Sequence, residues 1–282
     1  MDGKQVLITG ATGGIGLAAA EALARFGANV AMAGRNATAM RIAAAQVNAA
    51  KRRGATVDTL LADLSSQAAV RQLAGEVLAR YPRLDVLINN AGAMHVRRQV
   101  TPDGIELTWA VNHLAPFLLT TLLIDRLKAS VPARIITTAS AAHQTARIPF
   151  DDLNAERAYW PFERYGQTKL ANILFTSELA RRLEGAGVTA ISFHPGLVAT
   201  GFNRNNGLMM DLGMTILRPV SRSAQKGAET LVWLATSPEH AIANGGYYFD
   251  MHQVTPSEAA QDKDAARRLW EASQMQCASL RP

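Results

Sequence analysis

Gln5-Val-Leu-Ile-Thr-Gly-Ala-Thr-Gly-Gly-Ile-Gly16 is an apolar run that breaks into glycines and continues as an alanine-rich segment to Phe26, closed by Gly27. The pattern predicts a strand, a tight turn and a helix over 15–26. Glycines at such a turn permit positive φ and let a phosphate approach the backbone, while the helix start offers N–H donors and a partial positive charge. No Gly-Lys-Ser/Thr follows, so this is not a Walker loop, and glycines at 10, 14 and 16 depart from the common G-x-G-x-x-G spacing. A tight turn with no ligand could use the same glycines, and on these residues alone both readings stand.

The alternation continues along the chain. Apolar strands are expected at 29–33, 56–61, 84–88, 134–139, 188–193 and 246–249, with helices at 37–53, 66–81, 103–129, from 165 to 183, 221–236 and 256–275. Continuous apolar strands between helices imply a parallel sheet covered on both faces. The expectation is one doubly wound α/β domain of Rossmann type over 1–282, with a mostly parallel seven-stranded sheet. In that architecture ligands lie beyond the carboxyl ends of the strands.

Bulk composition narrows the function classes. The 282 residues are 48% hydrophobic and 18% charged, which argues against disorder. The net charge of +6 comes from scattered short clusters such as Lys51-Arg52-Arg53 and Arg267-Arg268, with no aromatic-interleaved stripe, so no nucleic-acid partner is expected. Cys277 is the only cysteine, which removes an intrachain disulfide and fits a reducing compartment. The first strand follows Met1 too closely for a signal peptide, and 114–124 is too short and polar to span a bilayer; a cytoplasmic chain without a membrane anchor is expected. The six histidines lack paired metal-ligand spacing, so no metal is expected.

The predicted strand ends carry the chemistry. The second ends in Gly34-Arg35-Asn36; an arginine there pairs with a 2′-phosphate, where an acid would accept from the 2′-hydroxyl of NAD. The third ends in Asp63-Leu64, whose carboxylate either meets an adenine edge or caps the next helix. Tyr165 and Lys169 stand four apart at the start of a helix, on one face. A phenol titrates near ~10 in water, and a neighbouring ammonium favours the phenolate, so the pair can be a tuned general acid/base. A surface tyrosine beside a solvated lysine has the same spacing.

Taken together and in order, the motifs resemble a classical short-chain dehydrogenase/reductase, most closely the branch that includes retinol dehydrogenases. The resemblance rests on Thr9-Gly10-x-x-x-Gly14-x-Gly16, Asn89-Asn90-Ala91-Gly92, Val111-Asn112-His113-Leu114, Ser140, Tyr165-x-x-x-Lys169 and His194-Pro195-Gly196-Leu-Val-Ala-Thr200. It implies a tetrad: Tyr165 as acid/base, Lys169 lowering its pKa and holding the nicotinamide ribose, Ser140 bonding the substrate oxygen, and Asn112 anchoring a water chain through its backbone. The implied cofactor is NADP(H), with NAD(H) as the alternative. Its contacts would be Thr9, Gly10, Thr12, Gly13, Gly14, Ile15, Gly16, Arg35, Asn36, Asp63, Leu64, Asn90, Ala91, Gly92, Tyr165, Lys169, Pro195, Gly196, Val198 and Thr200. Thr168 stands where serine is commoner, and Gly13 where NADP-using relatives are often basic, so Arg35 carries the cofactor preference alone. A homodimer or homotetramer built partly on the Tyr165 helix is also implied.

Substrate choice falls to two loops. Residues 141–161 hold His143 and Trp160, and a lid at about 197–220 holds Phe202 and Met209 within a methionine-rich run. Such loops adapt to apolar ligands, pointing to a lipophilic or aromatic carbonyl or alcohol, though packing onto the domain or a neighbouring subunit would use the same residues. A non-catalytic nucleotide-binding regulator, or an epimerisation or elimination with retained cofactor, are the alternatives to net oxidoreduction.

Overall fold

The computed structural model describes residues 1–198, 221–238 and 241–278. Its centre is β1 (Gln5–Thr9), buried at every position; Val6 and Ile8 point to one face and Leu7 to the other, and both faces are covered. Around it the chain builds β2 (Asn29–Gly34), β3 (Val57–Leu61), β4 (Val86–Asn89), β5 (Ala133–Thr138), β6 (Val188–Phe193), β7 (Tyr247–Phe249) and β8 (His252–Gln253). The sheet order is β3-β2-β1-β4-β5-β6-β7-β8, parallel from β3 to β7. The order reverses between β1 and β4, which places a ligand crevice at their carboxyl ends.

One strand was not expected. Asp250 and Met251 adopt positive φ (46° and 64°), turning the chain so that β8 pairs antiparallel with β7. Two residues carry no alternation pattern, so the sheet has eight strands where the sequence predicts seven.

Helices α1 (Gly14–Arg25) and α2 (Ala37–Ala50) cover one face together with a late helix. On the other face lie α3 (Gln67–Arg80), α4 (Leu107–Lys128) and α5 (Pro161–Arg182). The late helix α6 (Ala224–Thr236) packs against α1, and α7 (Lys263–Ala278) against α5. Helix α4 begins four residues later than expected, because Glu106 caps it by accepting from the N–H groups of Thr108 (2.8 Å) and Trp109 (2.9 Å). It widens into a π turn at Ala110–Leu114, the turn that carries Asn112. Among the described residues α4 is the one helix long and apolar enough to cross a membrane, and 72% of its most apolar window is buried inside the fold.

Helix α5 is buried at every position from Gly166 to Thr176. Helix α7 contributes to that cover: Trp270 packs on Phe117 at 4.9 Å and stacks on Phe175 at 6.0 Å, and the Arg182 guanidinium lies over Trp270. Along these three turns the chain's own core and α7 cover α5.

Candidate active site

The glycine turn is laced to the end of β4. Gly10 has φ +69°, and a Cβ there would come within 2.8 Å of Ala91 Cα; one at Gly16 would meet the Gly10 carbonyl and Asn90 Nδ2. Thr9 Oγ1 accepts from the N–H groups of Asn90 and Ala91, both at 3.1 Å, and Asn90 Nδ2 donates to the carbonyls of Thr9 (3.1 Å) and Gly10 (3.3 Å). Thr9 and Asn90 therefore hold the shape of the cradle with their side chains. Gly13 is the exposed N-cap of α1 and supplies no side-chain acceptor, so the first N–H groups of α1 face out past glycines alone. Thr12 packs toward Gly34, and Gly14 has φ +55°. This cradle suits an anionic phosphate chain, and the residues present fit a dinucleotide.

The other expected nucleotide contacts divide. Arg35 is exposed at the end of β2 and makes no ion pair among the described residues. Asn36 spends its carbonyl oxygen capping α2 through the Ala39 N–H (2.9 Å). Asp63 accepts from Ser65 N–H (3.0 Å), while Ser66 is the residue that caps α3, so the capping alternative for Asp63 falls to its neighbour. Leu64 turns its side chain onto the core, and Ile15 packs partly into the opposite core. Gly196, at φ +79°, lets Arg222 lie close against the backbone, and Val198 forms an isolated parallel bridge with Arg222 beside Pro195 and Gly196. Thr200, Phe202 and Met209 lie outside the described residues.

Three elements bring the tetrad together. Asn112, on the π turn, clamps the segment after Gly92: its Oδ1 accepts from Ala93 N–H and its Nδ2 donates to Ala93 O, both at 2.8 Å. The same Nδ2 donates to Thr168 Oγ1 (3.1 Å), whose hydroxyl donates to the Tyr165 carbonyl (2.7 Å). Threonine thus serves at the position where serine is commoner, and Ala93 and Thr168 join the site through contacts that no motif announces. A Cβ at Gly92 would stand 3.4 Å from both Asn112 Oδ1 and Lys169 Nζ, so the glycine keeps the space beside the lysine open. Ser140 follows β5, its Oγ accepting from Ala142 N–H (3.2 Å) and bonding the Tyr165 side chain.

Burial sets the electrostatics. It pushes the Tyr165 phenol up to about 12, with the Ser140 hydrogen bond pulling the other way. Lys169, which donates to Thr138 O (3.0 Å) and lies 5.5 Å from the Tyr165 ring centre, is pulled down by burial to about 8. Burial and the Ser140 hydroxyl are the two influences on the phenol, and burial is the larger. For a base whose folded pKa is depressed, the folded state binds fewer protons than the unfolded one between about 8 and ~10.4, so stability rises with pH across that window. Lys169→Met is therefore expected to raise Tm at neutral pH while abolishing turnover, and to flatten that rise. Thermal melts from pH 7 to 10 check this, and a lower Tm for the variant would refute it.

Two of the expected substrate contacts are placed differently. His143 is fully buried, with Nδ1 at 2.7 Å from Ser140 O and Nε2 accepting from Ser257 N–H (3.1 Å), so both nitrogens brace the loop and neither faces a ligand. Trp160 is 69% exposed and lines a cavity of about 340 Å³ with Arg157, Glu163 and Gln167, a cavity that none of the tetrad side chains lines. Phe162, 70% exposed and three residues before Tyr165, shares the face of α5 that carries Tyr165 and Lys169. The sequence reading starts this helix at Tyr165 and so passes over it.

A buried ion pair ties α4 to α5. Arg164 Nε donates to Glu106 Oε2 (2.7 Å), with side chains 1% and 0% exposed, and the guanidinium also lies over Trp109. Arg164→Met would leave the Glu106 charge buried without its partner, a cost of about 3–5 kcal/mol. The double change Glu106→Gln, Arg164→Met should recover much of that loss in denaturant midpoints; equal midpoints for the single and double variants would contradict it.

Comparison with known proteins agrees with the geometry. Residues 4–211 match the family model for short chain dehydrogenases. Human retinol dehydrogenase 13 is 41% identical over 96% of this chain and 83% of its own length. A Streptomyces sp. (strain C5) protein described as a candidate daunorubicin C-13 ketoreductase, DnrU, is 44% identical over 97% of this chain and 92% of its own. Among solved structures, a short chain dehydrogenase from Burkholderia cenocepacia J2315 in complex with NADP superposes with a TM-score of 0.69 at 27% identity, covering 93% of this chain and 99% of that one.

Proposed function

The chain belongs to the short chain dehydrogenase family, and on that premise we propose that it interconverts a ketone or aldehyde and the corresponding alcohol with NADP(H), Tyr165 serving as proton donor and acceptor. The observation that carries this is the meeting of Ser140, Tyr165, Lys169 and Asn112 beside the glycine cradle. The bound nicotinamide would supply or take up the hydride. The chain's own part is position and proton. A carbonyl oxygen seated between the hydroxyls of Tyr165 and Ser140 accepts two hydrogen bonds, which strengthen as charge develops on it. The phenol, held protonated by burial, gives its proton in reduction and takes it back in oxidation. Lys169 keeps positive charge below its pKa of about 8, facing the Gly92 side where the ribose would lie.

The relatives' names support a redox step on an alcohol or ketone: one is named for retinol and another for ketone reduction. Complexes of neighbouring structures with NADP, together with Arg35, favour the phosphorylated cofactor over NAD(H). Exposed Phe162 on the Tyr165 face favours a lipophilic or aromatic small molecule. The test is to supply the purified chain with NADPH or NADH and a panel of aldehydes, ketones and alcohols, following the near-ultraviolet absorbance of the reduced nicotinamide. Substrate-dependent loss with NADPH supports the proposal. Product formed without net change in the nicotinamide would assign an epimerisation or elimination, and nucleotide binding without any turnover would assign a regulator.

A further inference from the structure

The chain leaving β6 is held from two directions. From its own strand end, His194 Nδ1 accepts from Gly196 N–H (3.3 Å), and the His194 ring stacks on Phe249 of β7 at 4.1 Å. Burial above all pulls this imidazole down to about 4, so it stays neutral and Nδ1 stays an acceptor. From the residues just before α6, Arg222 donates its backbone N–H to Leu197 O (2.7 Å) and lays its side chain along Gly196, where a Cβ would stand 2.8 Å from Nε. Its guanidinium lies over Phe249 at 4.8 Å and forms a two-pronged pair with Asp250, Nη2 to Oδ2 at 2.8 Å and Nη1 to Oδ1. Asp250 offers that carboxylate from the turn between β7 and β8. There it and Met251 take positive φ, a region that residues with side chains rarely adopt, and the Met251 N–H is tied to Thr230 Oγ1 of α6 (3.3 Å).

The held segment borders the nucleotide crevice. A Cβ at Gly227 on α6 would meet Val198 (2.7 Å) and Ile15 (3.3 Å), so Val198 packs beside the first turn of α1, next to the glycine cradle. Ser140 follows β5, the neighbour of β6, while β2 with Arg35 lies on the other side of the crevice. A dinucleotide whose 2′-phosphate meets Arg35 and whose phosphate chain meets the cradle therefore extends its nicotinamide half toward β5 and β6. We propose that Arg222, clamped by Asp250, is a positioning residue that fixes residues 196–198 as the wall at the nicotinamide end of the crevice. An ion pair whose side chains are 27% and 40% exposed contributes little to stability. What this one contributes is geometry. One guanidinium joins the end of β6, the β7–β8 turn and the start of α6, so the wall stands in place before the ring arrives.

The proposal rests on the nicotinamide-cofactor reading, and the test separates the two. Binding of NADPH is compared with binding of 2′-phospho-ADP-ribose, the same nucleotide without its nicotinamide ring, in wild type, Arg222→Gln, Asp250→Asn and the double variant, with Tm measured alongside. The wild type should bind NADPH more tightly than the fragment. Each single change should weaken NADPH roughly tenfold and leave the fragment within about twofold, with Tm close to that of the wild type. The two changes alter net charge in opposite directions, so a shared loss reports the broken clamp, whereas an effect of charge on an anionic ligand would carry opposite signs. The double variant should lose no more than either single change, because both break one contact. An unchanged NADPH-to-fragment ratio in Arg222→Gln, effects of opposite sign, equal weakening of both ligands, multiplied losses in the double variant, or a wild type that binds the two ligands alike would each overturn the proposal. A wild type that binds neither nucleotide would fail the cofactor reading itself; one that binds both, with a ratio the variants do not move, refutes the Arg222 proposal alone.

Discussion

Tyr165→Phe is expected to lower kcat by roughly 10²–10⁴-fold, the range for removal of a positioned general acid, while leaving NADPH affinity within about twofold. The substitution deletes one oxygen and keeps the ring beside Lys169, so packing is preserved and the loss isolates proton transfer. The Ser140 hydroxyl loses its side-chain partner but retains the Ala142 N–H, which holds the loop. A direction-specific pH effect accompanies this. Burial raises the phenol to about 12, so reduction finds its proton donor loaded throughout the neutral range, while oxidation needs the phenolate. Alcohol oxidation by the wild type should therefore climb with pH above neutrality and carbonyl reduction should not. Initial rates in both directions from pH 6 to 10 check the pair. A Tyr165→Phe enzyme keeping more than about a tenth of its turnover would remove the acid/base assignment.

The fold was legible wherever burial imposed a pattern. Leu7 and Ile8 point to opposite faces of a sheet covered on both, so the strand reads as an unbroken apolar run, and Gly10 and Gly16 are required where the turn meets Ala91 and Asn90. Tyr165 and Lys169 stand out in the sequence because they lie four apart on one helix face, whereas Ser140 and Asn112 sit on other elements and are reached through the family resemblance. The positions passed over act through the backbone or across long sequence gaps. Thr138 contributes a carbonyl that any residue would supply, and Ala93 an amide. Glu106 and Arg164 lie 58 residues apart, and His113 and Ser273 come from different helices, so only the packed fold joins each pair. His143 shows the converse: its place in the 141–161 loop put it among the substrate contacts, whereas hydrogen bonds to Ser140 O and from Ser257 N–H make it a brace.

Arg35→Asp is expected to turn the nucleotide preference from NADPH toward NADH. Loss of charge-assisted hydrogen bonds to a 2′-phosphate, each about 1.5–3 kcal/mol, corresponds to roughly 10- to 100-fold weaker NADPH binding, before repulsion between carboxylate and phosphate is added. The same carboxylate can accept from the free 2′-hydroxyl of NADH, so NADH should bind no worse and a little better. Arg35 is the position to change because Gly13, in the turn beside the end of β2, brings no charge, and Asn36 has committed its side-chain carbonyl oxygen to the α2 cap. The side chain is exposed, so its contribution is screened: the wild-type preference for NADPH should shrink as salt is raised, and the variant's preference should not. Titrations of both nucleotides at low and high ionic strength measure all four quantities. An unchanged preference in Arg35→Asp would mean that the 2′-phosphate is read by some other cation, and a salt-independent preference in the wild type would mean that it is read by a buried one.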